Sequence, residues 1–162
     1  MCIYTLEMAA SDYGNKGMAG KHFYEVERLV SNDDDNRKLL GVYSMHRLMS
    51  MERGRSLRSK ADSHNLNEVM KEVLENHPEF RVVVLKYLSA YLAGDASTIS
   101  MNNIDRLFTK KLLKMLQSDS FDEVVHALNI IGRLCQTWTS KEALHTIEAV
   151  MRARDYFEGK FE

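Results

Sequence analysis

His22, His46, His64, His77, His126 and His145 are the residues of this chain best suited to ligate a metal or carry a proton. Their spacing does not serve either use, because no two fall close enough on one helix to share an ion, and neither HExxH nor CxxC occurs. Asp33, Asp34 and Asp35 gather three carboxylates in a row. A calcium loop alternates ligands with spacers, turns on a glycine at its sixth position and closes with a glutamate. Here the carboxylates are adjacent and those later features are missing, so the run is read as charge at a helix N-terminus, where the dipole favours it. The glycine loops that cradle phosphates, GxxxxGK[ST] and GxGxxG, are missing too, as is the GxSxG nucleophile elbow. Cys135 falls within an apolar run and is expected to be a buried small hydrophobe. The sequence therefore predicts no catalytic residue, no metal and no cofactor, and the chain is read as a non-enzyme.

The remaining candidates bind rather than react. The segment ERGRSLRSK, residues 52–60, is predicted to be a loop and carries Arg53, Arg55, Arg58 and Lys60. Such a cluster suits phosphate, an acidic partner or a basophilic kinase acting at Ser56, against the plain alternative of a solvated linker. Arg106, Lys110 and Lys114 recur every four residues beside Lys111, a stripe that could hold phosphates or simply face water. His126, Asn129 and Arg133 form the least apolar row of their helix, and Tyr87 and Tyr91 are expected beside them. Rings bury area at low entropy cost while amide and guanidinium groups bind backbone and carboxylates, so these five residues are the candidate partner-binding site. The competing reading of the tyrosines is that they merely fill gaps, with their hydroxyls in water.

About seven helices must position these groups. Apolar residues at helical spacing predict helices over 21–31, 37–51, from about 65, 80–94, 103–117, 122–137 and 140–156. Their inward rows include Phe23, Val26, Leu29 and Val30; Leu39, Leu40, Val42, Met45, Leu48 and Met49; and Leu66, Val69, Met70, Val73 and Leu74. Pro78 stands where a helix begins and needs no N–H. The triplet Val82, Val83 and Val84 favours a strand locally, but the apolar run is too long for one and lacks a partner strand. Gly94 is expected to end that helix, and 95–100 to be a loop. Asn65 with Glu68, Ser120 with Glu123 and Thr139 with Glu142 have capping-box spacing. Leu144, Ile147, Val150 and Met151 give the last helix a clean apolar face, expected to turn inward as a terminal cap.

Residues 112–135, LLKMLQSDSFDEVVHALNIIGRLC, read as a helix, a polar turn and a second helix apolar around most of its girth, with Leu128 at its centre facing both neighbours. This stretch resembles one repeat of the HEAT/armadillo superfamily. A shift of about 42 residues sets Val82, Leu85, Leu88 and Leu92 on Val124, Ala127, Ile130 and Leu134, and a further step reaches Val42, Met45 and Met49, a period in the range of that superfamily. The resemblance implies an all-α fold of antiparallel pairs, a short α-solenoid whose concave face binds a peptide or helix of a partner. An irregular helical bundle is the alternative fold. ISMNNIDRLFTKKLLKMLQSDSFDEVVHALNIIGRLCQTW also resembles the small helical N-terminal domain of some transcription elongation factors, with Val124, Leu134 and Trp138 in its core, which implies a nuclear, protein-binding role.

Composition agrees with a folded chain: 162 residues, 44% hydrophobic and 28% charged, with one proline. A formal charge of −1 gives no overall attraction to nucleic acid or membrane, so any such contact needs a local patch. Residues 1–20, with Gly14, Gly17 and Gly20, are predicted to be a flexible arm, and 21–162 a single helical domain. The start MCIYTLEMAA lacks a basic lead and carries Glu7, so no signal peptide is expected. Two distant cysteines, Cys2 and Cys135, favour a reducing compartment, cytoplasm or nucleus. The expected function is an adaptor, scaffold or regulatory subunit that binds another protein. The alternative is a nucleic-acid-contacting module using the basic segment 53–60 and the 106–114 stripe, and no membrane partner is expected.

Overall fold

The computed structural model describes residues 19–51, 55–93, 97–138 and 140–161. Every regular element among them is helical, and none is long and apolar enough to cross a membrane. The expected arm at 1–20 lies outside the described residues up to position 18, as do Arg53, the cap at Gly94 and Thr139 of the third capping box. The chain groups into two compact units, Met1–Ala96 and Ser97–Glu162.

The N-terminal unit holds α1 (Ala19–Val30), α2 (Asp35–Met51), α3 (Arg55–Ser63), α4 (Leu66–Asn76), a 3-10 turn (Pro78–Phe80) and α5 (Arg81–Tyr91). Asp34 Oδ1 accepts from the Arg37 N–H at 2.9 Å, so the acidic run does begin a helix. α1 packs on α2, and α2 on α5. The first of these contacts is very close: a Cβ on Gly41 would lie 2.4 Å from the Val30 nitrogen. Phe23, Val26, Val30, Val42, Met45, Leu48, Met70, Val84 and Leu85 make the core, largely the rows expected from spacing. Leu29, Leu39, Leu40 and Val69 are only half-buried. The valine triplet is helical, as expected from the length of its run.

Two local features of this unit differ from expectation. The segment 52–60 is not a loop throughout, since α3 begins at Arg55 and buries Leu57 and Ala61, one turn apart. Asn65 does not cap α4 with its side chain. It takes a left-handed backbone with φ 54, which asparagine tolerates, and so ends α3 while its carbonyl accepts from the Glu68 N–H at 3.1 Å.

The C-terminal unit holds α6 (Thr98–Met115), α7 (Phe121–Leu134), a 3-10 turn (Cys135–Thr137) and α8 (Ser140–Phe161). α6 starts inside the expected 95–100 loop because the Ser97 hydroxyl accepts from the Ser100 N–H at 3.1 Å. Ser120 caps α7 as expected, accepting from the Glu123 N–H at 3.4 Å. The Glu123 carboxylate does not reach back to the Ser120 N–H. It accepts from the Ser118 hydroxyl, whose oxygen in turn accepts from the Ser120 N–H at 3.1 Å.

α7 packs on α6 and buries Val124, Ala127, Ile130, Ile131 and Leu134, but it is not enclosed all round. Phe121 is 68% exposed and Leu128 37%, so Leu128 faces outward rather than both neighbours. Cys135 is exposed, contrary to expectation, because α7 ends at Leu134 and the tighter turn rotates the next position out of the core. α8 is turned the other way from expectation. Thr146 and Ala153 are buried, Val150 is half-buried, and Leu144, Ile147 and Met151 face water.

Candidate functional site: a cationic cleft beside Trp138 and an apolar row on α8

Trp138 follows the 3-10 turn in an extended conformation, its N–H donating to the Cys135 carbonyl at 3.2 Å. Its indole Nε1 donates to Asp105 Oδ1 on α6 at 2.7 Å, and the Thr109 hydroxyl donates to the same oxygen. Two donors on one carboxylate oxygen offset its charge and pin the ring against α6. Beside the ring opens a cleft of about 340 Å³. Arg106 and Lys110, one turn apart on α6, form its cationic edge, Leu113 and Trp138 its apolar wall, and His145 and Thr146 the side given by α8. The arrangement suits an anionic group carried next to an apolar one.

Three of the expected site residues therefore share one face. Arg106, Lys110 and Lys114 are all exposed along α6, and the first two line the cleft. Asp105, Thr109 and His145 were not singled out by spacing. The signal available was the chain's one tryptophan, which needs a partner for its N–H wherever it is partly buried.

The tyrosines expected on a binding surface are in the core of the N-terminal unit. Tyr87 and Tyr91 are both 0% exposed. The Tyr87 hydroxyl donates to Asn67 Oδ1 at 2.8 Å, and the Tyr91 hydroxyl donates to Asp62 Oδ1. Burial, then the nearby Tyr91 and Asp62, push the Tyr87 phenol well above the ordinary tyrosine range. Both rings are packing with satisfied hydroxyls, not accessible anchors. On α7, by contrast, Asn129 and Arg133 are exposed and His126 half-buried, so that row does face outward.

The basic segment divides similarly. Arg58 is 5% exposed and its guanidinium donates to the Ala93 carbonyl, so it ties α3 to the end of α5 and does not meet a phosphate in solution. Lys60 lies over the Tyr24 ring, 5.5 Å from its centre. Arg53 and the side chains of Arg55 and Ser56 lie outside the described residues.

On α8 the large apolar residues Leu144, Ile147 and Met151 are 56%, 55% and 49% exposed. Their i, i+3, i+7 spacing puts them on one face of the helix. Comparison with known proteins finds no match to this chain among family models, curated proteins or solved structures.

Proposed function

We propose that the protein is a non-enzymatic interaction module, an adaptor or regulatory subunit, that binds a helical segment of another protein through its C-terminal unit. The observation that carries this reading is the water-facing row Leu144, Ile147 and Met151. Contiguous apolar surface is costly to leave in water, and its helical spacing is the pattern by which one amphipathic helix receives another. Arg106 and Lys110 at the Trp138 cleft favour an acidic residue in the same partner. His126, Asn129 and Arg133 offer a polar face on α7 for further contacts.

A short HEAT-like stack of antiparallel pairs is the fold we propose behind this function. It is supported by the packing of α1 on α2 and of α6 on α7, and by the contact of α2 with α5. Those last two helices are two of the three that a shift of about 42 residues superposes. The exposed Cys135 thiol fits a reducing compartment, cytoplasm or nucleus.

The test is affinity purification of partners with the wild-type chain and with a variant carrying Ile147→Asp and Met151→Asp. Both positions are exposed, so the helical spectrum and melting temperature should hold while the specific partner is lost. A partner retained at full yield by the doubly changed chain would overturn the reading.

One observation favours a second reading. Arg106, Lys110 and Lys114 line an exposed face of α6 over about 12 Å, enough to meet successive phosphates of a single strand. Three such contacts give a slope of about −2 in log affinity against log salt. A gel shift with that salt dependence, abolished by Arg106→Glu with Lys110→Glu, would establish nucleic-acid binding instead.

A further inference from the structure

Among the described residues, one group brings three metal-ligating side chains together: Asp35, His77 and Glu79, whose donor atoms all lie within 4.8 Å of one another. Asp35 is the first residue of α2, His77 closes α4 and opens the 3-10 turn, and Glu79 sits inside that turn. Their separation in sequence explains why no motif announces them. We propose that these three side chains bind a single divalent transition-metal ion of the zinc class.

The geometry around His77 supports the assignment. Its backbone is held on both sides, the N–H donating to the Val73 carbonyl at 2.9 Å and the carbonyl accepting from the Phe80 N–H at 2.9 Å. Its ring stacks on buried Phe80, with centroids 5.1 Å apart and planes 14° apart, which holds the plane of the imidazole. Nδ1 lies 3.4 Å from Glu79 Oε1 and 3.8 Å from Asp35 Oδ1. Those distances are long for a direct N–H to carboxylate bond. They are close to the spacing of about 3.4 Å between two ligands that each sit about 2.1 Å from one tetrahedral ion. Asp35 and Glu79 are exposed, so small rotamer changes close the remaining gap.

Two carboxylates near one another repel, and a divalent cation between them removes that cost. A neutral imidazole with two carboxylates gives a charge-balanced site, and one nitrogen among oxygens favours zinc, copper or nickel over calcium and magnesium. Among the described residues, other histidines meet a carboxylate as well: His22 lies 3.1 Å from Glu25, His64 2.9 Å from Glu27 and His145 3.8 Å from Glu148. The bound ion would tie the start of α2 to the junction of α4 and α5. This site shares no residue with the cleft or the apolar row of the C-terminal unit.

The experiment titrates the full chain, free of any polyhistidine tag, with zinc chloride by calorimetry, and follows the melting temperature at each zinc level. One zinc per chain and a rising melting temperature are expected. His77→Ala and Glu79→Gln should each weaken binding at least about tenfold. His64→Ala and Cys135→Ser should leave it unchanged, and calcium should not compete. Glu79→Gln keeps the side-chain shape at an exposed position, so it remains informative if His77→Ala unfolds. No zinc binding, binding untouched by Glu79→Gln, or binding lost with His64 or Cys135 would overturn the proposal.

Discussion

The Tyr87 hydroxyl donates to Asn67 Oδ1 at 2.8 Å in the core of the N-terminal unit, with both residues buried. Each satisfies the other, and that is what lets a phenol and an amide be buried without penalty. Tyr87→Phe leaves the amide oxygen without this donor and should cost about 1–3 kcal/mol in urea unfolding.

The same phenol predicts an alkaline limit. Its folded-state pKa is raised, chiefly by burial, so folding favours the protonated form. That contribution is complete below the unfolded value of about 10 and is lost as pH rises through the folded one. Stability should therefore fall above about pH 10. Tyr87→Phe, though weaker at neutral pH, should fall less steeply there. Identical slopes would mean that Tyr87 ionises freely.

Two glycines in helices should respond with opposite sign. Gly41→Ala drives a methyl to within 2.7 Å of the Leu29 carbonyl carbon and closer still to Val30, both backbone, so α1 must move off α2. A loss of about 2–3 kcal/mol or more is expected. Gly132 in α7 has nothing within 4 Å of an added Cβ, and Gly132→Ala should stabilise by about 0.5–1 kcal/mol through helix propensity. Chemical denaturation of both variants checks the pair.

Leu128 and Ile130 form a similar contrast two residues apart on α7. Ile130 is 0% exposed, and Ile130→Ala should cost about 2–5 kcal/mol. Leu128 is 37% exposed, so Leu128→Ala should cost under about 1 kcal/mol, not the core-sized loss that its apolar surroundings suggest. Equal losses would mean that α7 is covered on both faces.

Leu128 also shows how far the sequence is legible. Periodicity identifies a helix and its apolar positions, and the rows through Phe23, Val42, Met45 and Met70 are buried as spacing predicts. Periodicity does not say what covers a face. α7 has apolar residues on two sides and α6 covers one; α8 has a clean apolar row, yet it buries Thr146 and Ala153 instead. α3 was hidden by its charges, although Leu57 and Ala61, four apart, carried the signal. The tyrosines were misplaced for a different reason. A ring with a hydroxyl looks the same in sequence whether that hydroxyl meets water or, as here, Asp62 and Asn67 from elsewhere in the chain. Ligand sets such as Asp35 with His77 are invisible for the same reason, since they exist only after folding.

The last prediction uses Trp138, the chain's one tryptophan, so intrinsic indole fluorescence reports on the cleft alone. The Trp138–Asp105 hydrogen bond fixes the ring, and Asp105→Ala should shift the emission and cost about 1.5–3 kcal/mol, since the acceptor is charged. Lys110 is exposed at the edge of the cleft, so Lys110→Glu should leave both the resting emission and the melting temperature nearly unchanged. A short helical peptide carrying glutamate beside leucine should change the emission of the wild-type chain. The change should weaken as salt rises, because the contact is an exposed charge pair. Reversing Lys110 should abolish the response while Asp105→Ala only blunts it. If Lys110→Glu responds like the wild type, the cationic edge plays no part in recognition, and the apolar row of α8 must select partners by shape alone.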